Sequence, residues 1–143
     1  MISTPDQFIA ADIFSEDGWE QLKILQDIFR EIAEKDEFTP LIDRFAERVV
    51  CYDEGEGGTK GSVYRGKRQV AEFFNWILPQ TRGFRKPTPM AFIPCGKKII
   101  ALGYAGETAN GPDPLHAIIV QFESDVITEI RIMENLCYPK EIY

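Results

Sequence analysis

The sequence predicts an α+β fold, with helices covering one face of a curved antiparallel sheet. Three observations carry that expectation. Apolar residues recur at helical spacing between Trp19 and Leu78, period-two alternation dominates from Lys97 onward, and the chain closes on two strands joined by only two residues. Helices that come early and strands that come late are the order of a layered α+β domain.

The closing strands are the clearest element. Leu115–Glu123 and Val126–Asn135 flank Ser124-Asp125, a gap that fits a tight hairpin. In the first strand His116, Ile118, Val120 and Phe122 make one nearly apolar face, while Gln121 and Glu123 give the other some polarity. In the second, Ile130 and Ile132 alternate with Glu129 and Arg131. The apolar face is interrupted by His116 at one end and by Glu134, of the same parity as Ile130 and Ile132, at the other. Those interruptions are where chemistry can sit.

The rest of the chain follows in order. Residues 1–18 read as an N-terminal arm packed on a single domain spanning 19–143, with Phe8, Ile9, Ile13 and Phe14 spaced for a short helical turn. Asp17 has the chemistry of a helix cap. From Trp19 to Lys35, Leu22, Leu25, Ile28, Phe29, Ile32 and Ala33 form an apolar stripe, opposite the four-apart pairs Arg30–Glu34 and Glu31–Lys35. Thr39 and Pro40 open a second, shorter helix as cap and first helical residue. Val49–Asp53 reads as a short strand, Ser62–Gly66 as a brief strand or turn, and Lys67–Leu78 as a third helix built on Val70, Phe73, Phe74 and Ile77, stopped by Pro79. Three prolines between Phe84 and Cys95 predict an irregular or edge strand. Lys97–Thr108 alternates again, and Asn110–Pro114 has the composition of a turn.

Composition excludes several function classes. A chain of 143 residues with 44% hydrophobic and 27% charged residues is long enough to bury a real core. Its net charge of −7 argues against nucleic acid or an anionic membrane as partner. No apolar run approaches a membrane span, and no basic-then-apolar leader is visible. Cys51, Cys95 and Cys137 are far apart and odd in number, and there is a single histidine, so neither a zinc site nor a disulfide framework is expected. That usage fits a reduced, cytoplasmic protein. The glycine-rich stretch 54–61 lacks a following Gly-Lys-Ser/Thr, and its two glutamates repel phosphate. It reads as a connection, and no cofactor is expected.

Phe45-Ala46-Glu47-Arg48-Val49-Val50-Cys51-Tyr52-Asp53, the step from Tyr64-Arg65-Gly66-Lys67 into Val70-Ala71-Glu72-Phe73-Phe74, and Ile127-Thr128-Glu129-Ile130-Arg131 together resemble the SnoaL-like branch of the nuclear transport factor two superfamily. The resemblance spans Trp19 to Leu136. It implies a cone-shaped, cystatin-like α+β barrel with a pocket between the helices and the concave sheet. The superfamily contains ketosteroid isomerases, polyketide cyclases and epoxide hydrolases beside many proteins without known activity, so fold alone does not name a reaction. By the same resemblance Asp53 falls where the isomerases carry their general base. Phe29 falls where they carry an oxyanion-stabilising Tyr, and Ile118 where they carry a protonated Asp. With both donors absent, the isomerase mechanism loses several kcal/mol of transition-state stabilisation, which disfavours it.

The expected site therefore pairs Asp53 with His116 as acid/base groups. Phe29, Tyr52, Tyr64, Trp76, Ile118, Val120, Ile132 and Glu134 would make up the pocket wall. The expected ligand is a small apolar molecule. Two function classes stay open. One is a cofactor-free isomerase-, cyclase- or hydrolase-type enzyme acting on a small carbonyl or hydroxyl compound. The other is a non-catalytic ligand-binding or dimerisation module. Ala117, Ile119, Gln121, Arg131 and Met133 fall on the opposite, convex face of the hairpin, where a symmetric homodimer is expected.

Overall fold

The computed structural model describes residues 8–9, 16–56, 61–78, 88–104, 107–108, 111–112 and 115–136, and the side chains of 18–54, 61–78, 91–103 and 116–133. In chain order the elements are β1 (Phe8–Ile9), α1 (Glu16–Lys35), α2 (Thr39–Ile42), β2 (Phe45–Glu56), β3 (Ser62–Arg65), α3 (Lys67–Glu72), β4 (Thr88–Cys95), β5 (Lys98–Tyr104), β6 (Glu107–Thr108), β7 (Gly111–Pro112), β8 (Leu115–Glu123) and β9 (Val126–Leu136).

The apolar stripe of α1 does what its spacing predicts: Leu22, Leu25, Ile28, Phe29 and Ile32 are buried, while Ala33 is exposed. The helix starts at Glu16, so Asp17 lies inside it and not before it. Lys35 pairs with Glu31 at 3.5 Å, but Arg30 reaches back to Asp27 at 2.8 Å instead of forward to Glu34. Phe38, not Thr39, occupies the cap position of α2. Helix α3 widens into one π-helical turn over Phe73–Ile77 before Leu78. Phe73, Phe74 and Leu78 are all buried there, so the wider turn accompanies two adjacent aromatic rings facing the core.

Seven strands form one sheet in the order β1-β4-β5-β8-β9-β2-β3. It is open among the described residues, because β1 and β3 are its edges. The neighbours are antiparallel except for two pairs. β2 runs parallel to β9, and β1 runs parallel to β4. The expected antiparallel sheet is thus a mixed one. The β2–β9 pair is joined through β3, α3, β4, β5 and β8, the kind of long crossover that parallel neighbours require. Phe8-Ile9, expected as part of a helical turn, is instead the short strand beside Ala91 and Phe92. Register shifts interrupt the β2–β9, β4–β5 and β8–β9 ladders, and such bulges bend and twist a sheet.

Register sorts the side chains onto two faces. Ile118 pairs with Ile132 and with Ala101, Val120 with Ile130 and Ile99, and Cys51 and Asp53 lie beside Ile130 and Ile132. These positions share the concave face. Its apolar members join Leu22, Leu25, Ile28, Phe29, Phe73, Phe74 and Phe92 in a single core cluster. Ile100, Leu102, Ile119 and Met133 are half-buried and belong to the other face, outside that cluster. Two turns are tied down from outside the sheet. Gln21 Nε2 donates to the Ser124 carbonyl at 3.1 Å, and the Ile127 amide donates to the Arg44 carbonyl at 2.7 Å.

Candidate functional site

Strand β2 alternates across the sheet, so Cys51 and Asp53 point one way while Tyr52 and Glu54 point the other. Asp53 is flanked by Ser62 of β3 on one side and Ile132 of β9 on the other. His116 lies two residues from Ile118 on β8, beside Gly103 of β5. Among the described residues, Asp53 (8% exposed) and His116 (2% exposed) are the buried polar or charged side chains, and both are on the concave face. A flat-sheet count of two strand spacings and two residues along a strand puts their Cα atoms roughly 12 Å apart, about the span of a small molecule plus two side chains.

Asp53 also acts on its neighbour. The Cys51 thiol is pushed up to about 12, first by burial and then by the negative charge of Asp53. This thiol is a packed apolar group and not a nucleophile.

The expected pocket wall divides. Phe29, Ile118, Val120 and Ile132 do lie on the inner side, but as packed core at 5, 1, 0 and 0% exposure. Phe29 meets Phe92 with ring centroids 6.3 Å apart. Tyr64 is half-buried and stacks on Phe73 at 4.6 Å. Tyr52 is not on the inner face: it points outward, with the Arg131 guanidinium 4.1 Å from its ring centroid. Adjacent strand residues cannot share a face, so Tyr52 and Asp53 could not both line the pocket. Trp76 stands 64% exposed, on the outside of the π-helical turn. Glu134 lies in β9, and its side chain falls outside the described residues.

The family-level comparison by sequence yields nothing: no family model matches the chain, and no curated protein does. Solved structures do match. An NTF2-like protein of unknown function from Mesorhizobium loti superposes with a TM-score of 0.63 at 12% identity, over 84% of this chain and 94% of that one. A protein of unknown function with a cystatin-like fold from Xanthomonas campestris gives 0.62 at 14% identity, over 80% and 89%. A putative polyketide cyclase from Sinorhizobium meliloti gives 0.57 at 14% identity, over 77% and 93%. The fold is NTF2-like. At these identities the likeness speaks of architecture alone.

Within this NTF2-like fold, sequence reasoning missed a charged row on the outer face. Lys98 Nζ contacts Glu129 Oε2 at 2.9 Å, Arg131 Nε donates to the same oxygen at 3.4 Å, and Arg131 Nη1 donates to Glu54 Oε2 at 2.6 Å. Burial alone would raise the Glu129 carboxyl, but Lys98 and Arg131 outweigh it and hold the group below its usual value. The hydrogen bond to Glu54 raises Arg131 further. Glu129 and Arg131, two apart on a strand, were a legible sign that both face the same way. Their partners, far off in sequence, were not.

An open groove of about 580 Å³ lies elsewhere, lined by Glu47, Arg65, Lys67, Arg68, Gln69 and Glu72, and holds none of the expected site residues. Among the described residues no group of three or more His, Cys, Asp or Glu side chains is placed to hold a metal ion. No described helix is long and apolar enough to cross a membrane.

Proposed function

We propose that this chain binds a small apolar carbonyl or hydroxyl compound against its concave face and acts on it without a cofactor, as an isomerase-, cyclase- or hydrolase-type acid/base catalyst. In this reading Asp53 takes or returns a proton and His116 donates a hydrogen bond to the substrate oxygen or relays the proton. One observation carries it. Burying a carboxylate and an imidazole costs free energy that an apolar residue would not, yet among the described residues these are the polar or charged side chains that are buried, both on the concave face. The polyketide cyclase among the structural neighbours is a putative enzyme in its own right and lends the reading only a shared scaffold.

The competing reading is a non-catalytic binding module. Phe29 and Ile118 favour it, because neither can stabilise an oxyanion and both are packed as core. The two separate in one experiment. A panel of small ketones and alcohols is screened by thermal shift, and each ketone that raises the melting temperature is followed by NMR for exchange of its α-protons with deuterated water. Exchange by the wild type and not by Asp53→Asn, with binding kept, supports the catalyst. Binding without exchange in either protein establishes the module.

We also propose that two copies associate through their convex faces. Ile100, Leu102, Ile119 and Met133 lie half-exposed there, on the side of the sheet away from the helical core cluster. Sedimentation should give a dimer at micromolar concentration and a monomer for Ile119→Lys. A wild-type monomer, or a dimeric lysine variant, ends this proposal.

A further inference from the structure

The outer face of the sheet is not uniformly apolar, and its charges are ordered. Lys98 on β5, Glu129 and Arg131 on β9 and Glu54 on β2 follow one another diagonally across the sheet as plus, minus, plus, minus. Each side chain is about a quarter to two-fifths exposed: 31% for Lys98, 23% for Glu129, 33% for Arg131 and 38% for Glu54. Half-exposed Ile100, Ile119 and Met133 lie around the row. Arg131 is held in place from two further sides, by the Tyr52 ring at 4.1 Å and by its hydrogen bond to Glu54.

We infer that this row is the register key of self-association: it makes the convex face complementary to a second copy of itself along the whole row in one alignment, and repels that copy one place to either side. The inference rests on the association reading above and adds which residues decide it. A two-fold axis passing between Glu129 and Arg131 reverses the row. Lys98 then faces Glu54 of the second copy, and Glu129 faces its Arg131, so every charge meets its opposite. Sliding the copies by one place along the row sets plus over plus and minus over minus. An apolar sheet face alone tolerates such slips, whereas facing like charges forbid them. As exposed ion pairs the four side chains would contribute little to the folded chain. The partner copy would take them out of water, where their complementarity selects the alignment.

The inference is tested with two charge reversals, Glu129→Arg and Arg131→Glu, made in separate chains of distinguishable mass and checked for folding by circular dichroism. Each alone places like charges opposite each other twice across the axis, and its dimer dissociation constant should rise at least about tenfold. Mixed in equal amounts, the two chains should form a heterodimer of near wild-type affinity, because the reversed residues then face each other with opposite sign. Native mass spectrometry reads the hetero- and homodimers directly. Single variants that dimerise like the wild type would overturn the key and leave the association standing. Variants that are monomeric alone and together would also overturn it, since damage to the face and not charge pairing would then explain the loss. A wild-type monomer would overturn the association itself, and the key with it.

Discussion

Gly61 is the residue whose substitution tests the placement of Asp53 most directly. It precedes Ser62, the cross-strand partner of Asp53, where β3 returns alongside β2. A β-carbon at position 61 would run into the Asp53 carbonyl oxygen and come within 3.2 and 3.3 Å of the Glu54 Cα and carbonyl carbon. These are backbone atoms of a paired strand and cannot turn aside as a flexible side chain would. Gly61→Ala should therefore cost about 1–3 kcal/mol, the usual range for forcing extra volume into a packed place. In a domain of this size that lowers the melting temperature by roughly 3–12 °C. Gly61→Ser should cost as much, because the clash belongs to the β-carbon. Gly96 is the control. It has a φ of +64° and open space around it, so Ala is strained there by the backbone alone, and Asn, which tolerates that region, should recover much of the loss. Amide NMR should show Asp53 and Glu54 moving in Gly61→Ala and staying still in Gly96→Ala. A Gly61→Ala protein that melts like the wild type with an unmoved Asp53 amide would refute the β2–β3 register, and with it the account of how Asp53 is held.

The core, the thiols and the outer ion row each give a further test. Phe122 is 6% exposed within the core cluster, and Phe122→Ala should cost about 3–5 kcal/mol in a denaturant titration; an unchanged midpoint would mean that the hairpin is paired differently. Buried Cys51, with its thiol pushed up to about 12, should resist iodoacetamide at pH 8 while exposed Cys95 is alkylated, as peptide mass spectrometry would report. Glu129 is held below its ordinary value in the folded chain, so its carboxylate stabilises the fold above the unfolded value of about 4.5 and that contribution is lost as pH falls through the lower, folded value. Glu129→Gln should lose about 0.5–1 kcal/mol at pH 7, and the gap should close on acidification. A gap that widens in acid would show that Lys98 and Arg131 do not outweigh the burial of Glu129.

Much of the fold was legible because it is written in short-range periodicity. The hairpin's alternation and two-residue turn placed Ile118, Val120, Phe122, Ile130 and Ile132 on the inner face, where the structure has them buried. The same parity put His116 inside. Long-range pairing was less legible: β2 lies parallel to β9, and Glu54 meets Arg131 across 77 residues, with nothing local to announce either. Two expected wall residues went astray for local reasons. Strand alternation beside Asp53 turns Tyr52 outward, and Trp76 is carried to the surface by the π-helical turn that buries Phe73 and Phe74. At the N-terminus, the helical spacing of Phe8, Ile9, Ile13 and Phe14 was no match for the unpaired edge that β4 offers to Phe8-Ile9.

Strand β2 joins the two faces of the molecule at one peptide bond. Its inward residues, Cys51 and Asp53, belong to the concave side, and its outward residues, Tyr52 and Glu54, to the ion row. Among the described residues β3 pairs with β2 as far as Asp53, opposite Ser62, and the β2–β9 register shifts between Asp53 and Glu56. Past that point β9 is the only described neighbour of β2, and the side-chain bond from Arg131 to Glu54 fastens the strand just where ladder support thins. Within the described ladder Asp53 is therefore the last β2 residue paired to both neighbouring strands, one residue before the Glu54–Arg131 contact. Anything that reorganises the Glu54–Arg131 contact, a second copy of the chain included, acts one residue away from the buried carboxylate. Outer-face chemistry and inner-face chemistry are thus not independent in this fold, even though no side chain crosses the sheet.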